Sequence, residues 1–219
     1  MAVKTFDEQS GHQPANIRKI LEMAIYVKPW KADDAEITTI WAAADGLVVP
    51  DEYMPVGLTT KDDGATWSRD QESSETTSFG YGEPTRQDII GDRSGLAFTM
   101  QESKRTTMEL YNGLDLSTVT TDADGNFFFD KPSRPVKIRY RVLAIGKDGD
   151  GPDAVYLARW LPDATITENG EQAWSEGDEI RYPATFGART DKAVGTSFRE
   201  VWGGPGLDHA AMGFPAPTP

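Results

Sequence analysis

The sequence predicts a mainly β protein: an antiparallel β-sandwich or barrel with one short flanking α-helix and a long extended hairpin arm. Three observations predict it. Two segments, VKIRYRVLA (136–144) and EIRYPATFGA (179–188), alternate apolar and polar residues with the two-residue period of a strand. Glycines and prolines are spread along the chain at the spacing of turns between short strands. Helical periodicity is confined to short stretches.

Taken in order, residues 1–23 are expected to be a polar, mobile arm, part helical, because Ile17, Ile20, Leu21 and Ala24 in PANIRKILEMA follow helical spacing with Pro14 in the first turn. AIYVKPW (24–30) reads as a strand. ITTIW (37–41) and GLVVP (46–50) are β-prone runs bounded by Gly46, Pro50 and Pro55. PVGLTTKDDGATWS (55–68) reads as two strand pieces around a tight Asp63-Gly64 turn. From there ATWSRDQESSETTSF (65–79) runs on with too little apolar content to be buried and too much Ser and Thr for a good helix. It predicts an extended strand facing solvent or another chain, one side of a hairpin over 65–93. SKRTTMELY (103–111) is the flanking helix, about 103–112, with Ser103 as its N-cap.

In VKIRYRVLA, Val136, Ile138, Tyr140, Val142 and Ala144 share one face, and Lys137, Arg139 and Arg141 the other. AVYLARWL (154–161) is apolar on both faces, as in a strand covered from both sides. Asp124-Gly125, Gly146–Gly151 and Asn169-Gly170 are expected hairpin turns. The β domain then covers 24–206, and the Gly/Pro-rich residues 207–219 form a flexible tail.

Composition removes several classes of function. The net charge of −13, with pI near 4.6, is the opposite of a nucleic-acid footprint. Such acidity suits either a solvated surface or one that must not adhere to a polyanion. With no cysteine there is no disulfide, thiolate metal site or Cys nucleophile, and an origin in a reducing cytosol is expected. No stretch is apolar enough to span a membrane, and the first residues, with Asp7 and Glu8, do not resemble a signal peptide.

No catalytic, metal or cofactor site is expected. The two histidines, His12 and His209, lie in the terminal arms, whereas a catalytic base must be held rigidly. Two acidic turns invite a calcium reading and fail its spacing. In the turn starting at Asp148, Pro152 falls at loop position 5, where an oxygen ligand is required; in the one starting at Asp122, Phe127 replaces the required Gly and Ser133 the required Glu. The Phe-Gly-Tyr-Gly run at 79–82 lacks the Gly-Lys-Ser/Thr and long helix of a phosphate loop.

A polar strand arm therefore remains. Proteins suppress exposed strand edges because these recruit other chains, so a long charged edge that is kept points to a chosen partner. The residues expected to carry self-association are Trp67, Phe79, Gly80, Tyr81, Gly82 and Arg86, with Glu83-Pro84-Thr85-Arg86 turning the chain back.

Residues 55–113, from PVGLTTKDDG to ELYNG, followed by RYRVLAIGKDG, LARWLPDATITENGE and YPATFGARTDKAVGTSFREVWGGPG, resemble the major tail tube proteins of long-tailed (siphovirus) bacteriophages, in particular those of actinobacteria. The resemblance spans about 24–206. It implies a structural virion protein of tail tube fold, not an enzyme, made in the host bacterial cytoplasm. It also implies stacked hexameric rings around a tape-measure protein, with the tail terminator and the distal tail or baseplate proteins as further partners. Phage DNA would pass through the lumen without specific binding. Two other readings stay open on the residues alone: a monomeric β-sandwich carbohydrate-binding module with Trp67, Phe79 and Tyr81 as a stacking platform, and an acid-dependent hydrolase.

Overall fold

At the centre of the computed structural model, which describes residues 5–215, two long strands lie antiparallel: β7 (Arg139–Asp148) and β8 (Val155–Asn169). They are paired from Arg139↔Thr165 to Asp148↔Val155, with a bulge between Tyr140 and Val142. β1 (Glu22–Pro29) covers the free edge of β7 along its whole length, Glu22↔Lys147 to Pro29↔Tyr140. On the other edge of β8 two strands share the space. β10 (Arg199–Gly203) pairs with residues 156–160, and β9 (Tyr182–Ala188) with residues 164–169. β6 (Arg86–Met100) lies against β9 through residues 95–100, and β5 (Ala65–Thr76) against β6.

One short segment closes this sheet on itself. β4 (Met54–Pro55) pairs with β1, and the Val56 amide donates to the Ile25 carbonyl at 2.9 Å. A few residues on, Thr59 bridges Met100, the Thr60 amide donates to the Thr99 carbonyl at 3.0 Å, and the Gln101 amide donates to Leu58 at 3.0 Å. Residues 54–60 thus join β1 to β6 and cover the sheet edges along residues 25–27 and 99–101.

Alternation along each strand then divides the core in two. Ile25, Val27, Leu96, Phe98, Val142, Leu161 and Phe186 fill the barrel interior, where the Phe98 and Phe186 rings stack at 5.6 Å. Leu143, Ile145, Ala158 and Trp160 point outward and are covered by Ile37, Ile40 and Tyr53. This outer layer is why 154–161 reads as apolar on both faces. The covering segment is mostly irregular. The expected strands at 37–50 shrink to two residue pairs, β2 (Trp41–Ala42) and β3 (Gly46–Leu47), because its apolar side chains are used for packing on β7 and β8 and not for a ladder.

The helix α2 (Arg105–Asn112) closes one end of the barrel, burying Thr107 and Leu110 and setting Tyr111 edge-on to Tyr182 at 5.6 Å. Gly113 ends it at φ 63°, in the left-handed conformation suited to glycine. Ser103 is not its cap: the N-cap is Lys104, with no side-chain capping bond, and the Ser103 hydroxyl bonds the Tyr182 hydroxyl at 2.7 Å.

Other expectations change as well. PANIRKILEMA is not a helix. Pro14–Asn16 makes one 3-10 turn, Ile17, Ile20 and Leu21 are exposed, and β1 starts at Glu22. Pairing of β1 with β7 outweighs a local spacing that has no core to face. A five-residue helix, α1 (Phe6–Ser10), lies instead in the stretch read as mobile, and residues 1–4 and 216–219 fall outside the described residues. Asp124-Gly125 is a turn in which Asp122 Oδ1 accepts from the Asp124 and Asn126 amides, but no strands flank it. Val136 is exposed ahead of β7.

The largest departure is Arg141, expected on a solvent face and found with no exposed surface. It donates to the carbonyls of Lys31, Asp34 and Ala35 and to Asp191 at 3.4 Å. Asp191, itself 1% exposed, also accepts from Trp30 Nε1 at 2.8 Å. Beside it, Arg139 forms a two-point ion pair with buried Asp163 and lies over the Trp30 ring. A buried charge is tolerated when paired and hydrogen-bonded, and this one ties residues 30–35 and 191 to the central strands.

Candidate assembly surface

Beyond Ser94, β6 leaves β9 behind, and the β5–β6 ribbon continues alone from Arg69↔Ser94 to Thr76↔Arg86. This is the arm expected at 65–93, and its side chains from Arg69 to Ile90 are exposed. A ribbon without a core must be held by its ladder and by cross-strand pairs. Arg69 supplies one, donating from Nε to Asp92 Oδ1 at 3.0 Å, and Gln71 reaches the same carboxylate at 3.2 Å. These bonds, Arg69 first, hold the Asp92 carboxyl at about 2, well below the usual carboxylate range. Further out, Gln87 donates to Glu75 at 3.2 Å.

At the tip, the Thr85 amide donates to the Thr76 carbonyl at 2.8 Å, and the hydroxyls of Ser78 and Thr85 meet at 2.8 Å. The chain between them reverses through Gly80 at φ 85°, a region L side chains rarely enter. Gly82 has no such requirement. The reversal leaves Phe79 and Tyr81 pointing into solvent. Arg86 does not project freely: its guanidinium is paired with Asp88 at 2.6 Å.

The arm therefore brings Phe79, Gly80, Tyr81, Gly82 and Arg86 together and leaves Trp67 behind at its base. Trp67 is half-buried, edge-on to Phe198 at 5.8 Å, with the Arg159 guanidinium 5.2 Å from its ring centre. Nine strand steps, from Trp67 to Thr76 at the end of β5, carry the chain roughly 30 Å away before the tip begins. The three aromatics do not form one stacking platform, which removes the geometry expected of a carbohydrate module. Two apolar residues of the arm escape a reading of the sequence. Ile89 and Ile90 are exposed at the bulge where Glu72 faces Gly91 and Ser73 faces Ile89. Two adjacent isoleucines in a run otherwise polar are the signal that marks them.

Among the described residues, no group of three or more His, Asp and Glu side chains is placed to hold a metal ion, and no helix is long and apolar enough to cross a membrane.

The sequence profile of a family described as phage tail tube protein matches residues 24–198. No curated protein matches the sequence. Among solved structures, the chain is similar to one in the anti-feeding prophage baseplate, at 11% identity and TM-score 0.44, covering 90% of this chain and 99% of that one. It is similar to a chain of the PVC extracellular contractile injection system sheath-tube complex in its extended state, at 10% identity and TM-score 0.42, covering 92% and 99%. A crystal structure of Hcp protein is similar at 12% identity and TM-score 0.31, covering 81% and 97%.

Proposed function

The chain belongs to the phage tail tube protein family, and from that premise we propose that its copies join head-to-tail through the arm into hexameric rings, stacked as the tail tube of a long-tailed phage. The family is structural, so the protein is a component of the virion and not an enzyme. The observation that carries the assembly reading is the arm. It presents Phe79, Tyr81, Ile89 and Ile90 to solvent on a ribbon whose two outer edges are unpaired beyond residue 94. Unpaired ladder groups beside exposed aromatics suit addition to another chain. A protruding element contacting a different patch on the next copy generates rings when the rotation closes.

In this reading Trp67 fixes the base of the arm, Gly80 shapes its tip, Phe79 and Tyr81 anchor on a neighbour, and Arg86 with Asp88 stiffens the return strand. The tape-measure protein occupies the lumen during assembly, and the tail terminator and the distal tail or baseplate proteins take the two ends. The charge of −13 per copy gives an acidic tube through which DNA phosphates pass without adhering.

The test is to replace residues 70–93 by an Asn-Gly turn, which joins the directly opposed Arg69 and Ser94. Electron microscopy of the concentrated protein should show rings or tubes for the unaltered chain and a folded monomer for the variant. Unimpaired tubes from the variant would refute the assignment of the arm.

A further inference from the structure

The end of the barrel opposite α2 is open. Its mouth is a cleft of about 510 Å³ between the start of β1 and the base of β5, lined by Met23, Leu58, Trp67, Leu157 and Arg159, with Ile20 on its rim. Alternation explains the lining. Leu157 and Arg159 share the face of β8 that carries Leu161 into the interior, and Met23 and Trp67 pack against the same interior cluster. Here the closing seam is incomplete: residues 58–60 pair with β6 and residues 54–56 with β1, but the edge of residues 22–24 that faces away from β7, and the outer edge of β5, border the cleft with no partner strand among the described residues. A concavity of this size, mostly apolar with a few polar groups at its edge, has the form of a binding site.

We propose that this mouth is the socket for the arm tip of a second copy, with Phe79 and Tyr81 inserted between Met23, Leu58 and Leu157. The inference rests on the tail tube reading and adds the partner surface that the arm meets. Three features select this occupant. The tip cannot reach its own mouth, because Trp67, which lines the mouth, stands nine strand steps, roughly 30 Å, from Thr76, where the tip begins. Each chain then carries one plug and one socket on separate surfaces, the arrangement that propagates head-to-tail and leaves no chain saturated by its own contact. The charges are complementary at the rim: between residues 74 and 88 the tip carries Glu75, Glu83 and Asp88 against Arg86 alone, whereas the cleft offers Lys61, its Arg159 and Glu22 being paired with Glu200 and Lys147. Two aromatic side chains that are fully or largely exposed in the isolated chain would leave water together.

The chain has no cysteine, so single thiols report the contact directly. Gly82→Cys places a thiol at the tip, where an added side chain meets no atom within 4 Å, and Leu21→Cys places one on the exposed rim of the mouth. The two variants are mixed, assembled and treated with a short thiol-to-thiol crosslinker. The expected product is a covalent dimer holding one copy of each variant, absent when either is treated alone. Tubes that form without the mixed dimer overturn the socket and leave the tube reading standing. Failure of the unaltered protein to form tubes overturns both. Hydrogen exchange on the unaltered protein tests the same contact without substitution. Assembly should slow the amides of 57–60 together with those of 79–82, and slowing at the tip alone overturns the socket.

Discussion

Arg69 and Asp92 face each other across the arm, the guanidinium Nε donating to both carboxylate oxygens at 3.0 and 3.2 Å, outside any packed core. The pair stands two residues beyond Trp67, where the ribbon leaves the barrel and needs a brace. Asp92→Asn should therefore loosen the ribbon without touching the barrel: faster amide exchange over residues 69–75, with an unchanged thermal midpoint. The pH dependence follows from the depressed carboxyl. Its contribution is complete above the ordinary carboxylate value of about 4 and is lost as the pH falls through about 2. The arm should loosen as the pH falls through about 2, seen as faster exchange over 69–93, a loosening that Asp92→Asn should show already at neutral pH.

Arg141→Met tests the buried network. The substitution removes the cation and leaves the Asp191 carboxylate and the carbonyls of Asp34 and Ala35 short of a donor inside the fold. Breaking a buried pair from one side costs about 3–5 kcal/mol, so chemical denaturation should show a loss of that size. Burial pushes the Asp191 carboxyl up, but the Trp30 indole, the Ala193 amide and Arg141 together hold it below its ordinary range. The stability it contributes is present above about 4 and lost as the pH falls below that, a loss the Asp191→Asn variant should no longer show.

Trp160 donates its indole N–H to the Tyr53 hydroxyl at 2.9 Å, with both groups buried beneath the outer layer. Tyr53→Phe keeps the ring and leaves that donor unsatisfied, at a cost of about 1–3 kcal/mol. The fluorescence of Trp160 should shift with the lost bond while the fold persists, and an unchanged denaturation midpoint would refute the role given to this bond.

The parts of the fold legible in the sequence are those where side-chain pattern and local geometry agree. EIRYPATFGA reads as a strand because Tyr182, Ala184 and Phe186 alternate into one core, and they do so in the fold. The arm is legible for the opposite reason: no apolar face over fifteen residues leaves only an extended, outward role. Arg141 is illegible because its partners, Asp34 and Asp191, are 107 and 50 residues away, and alternation alone assigns every polar position to solvent. The closing segment 54–60 is hidden likewise, since it serves two strands with only a few residues each. The mouth of the barrel has no motif at all. It exists only because β1, β5 and β8 end near one another.

The two glycines of the tip, alike in sequence, should separate on substitution. Gly80 sits at φ 85°, where an L side chain costs roughly 1–2 kcal/mol and a β-branched one more. Gly82 has no positive φ, and no atom lies within 4 Å of where its side chain would begin. Gly80→Val should therefore open the tip, speeding exchange of the Thr85 amide that donates to Thr76, whereas Gly82→Ala should leave that amide as it is. Because the arm lies outside the barrel core, neither variant should move the thermal midpoint of the barrel. If Phe79 and Tyr81 are the anchors, Gly80→Val should also slow tube growth, since the strained turn no longer presents the two rings together. Gly80→Asn, whose short polar side chain tolerates the left-handed region, should recover most of the rate. Equal effects at Gly80 and Gly82 would mean that the tip needs small residues for space, and the conformational account would fail.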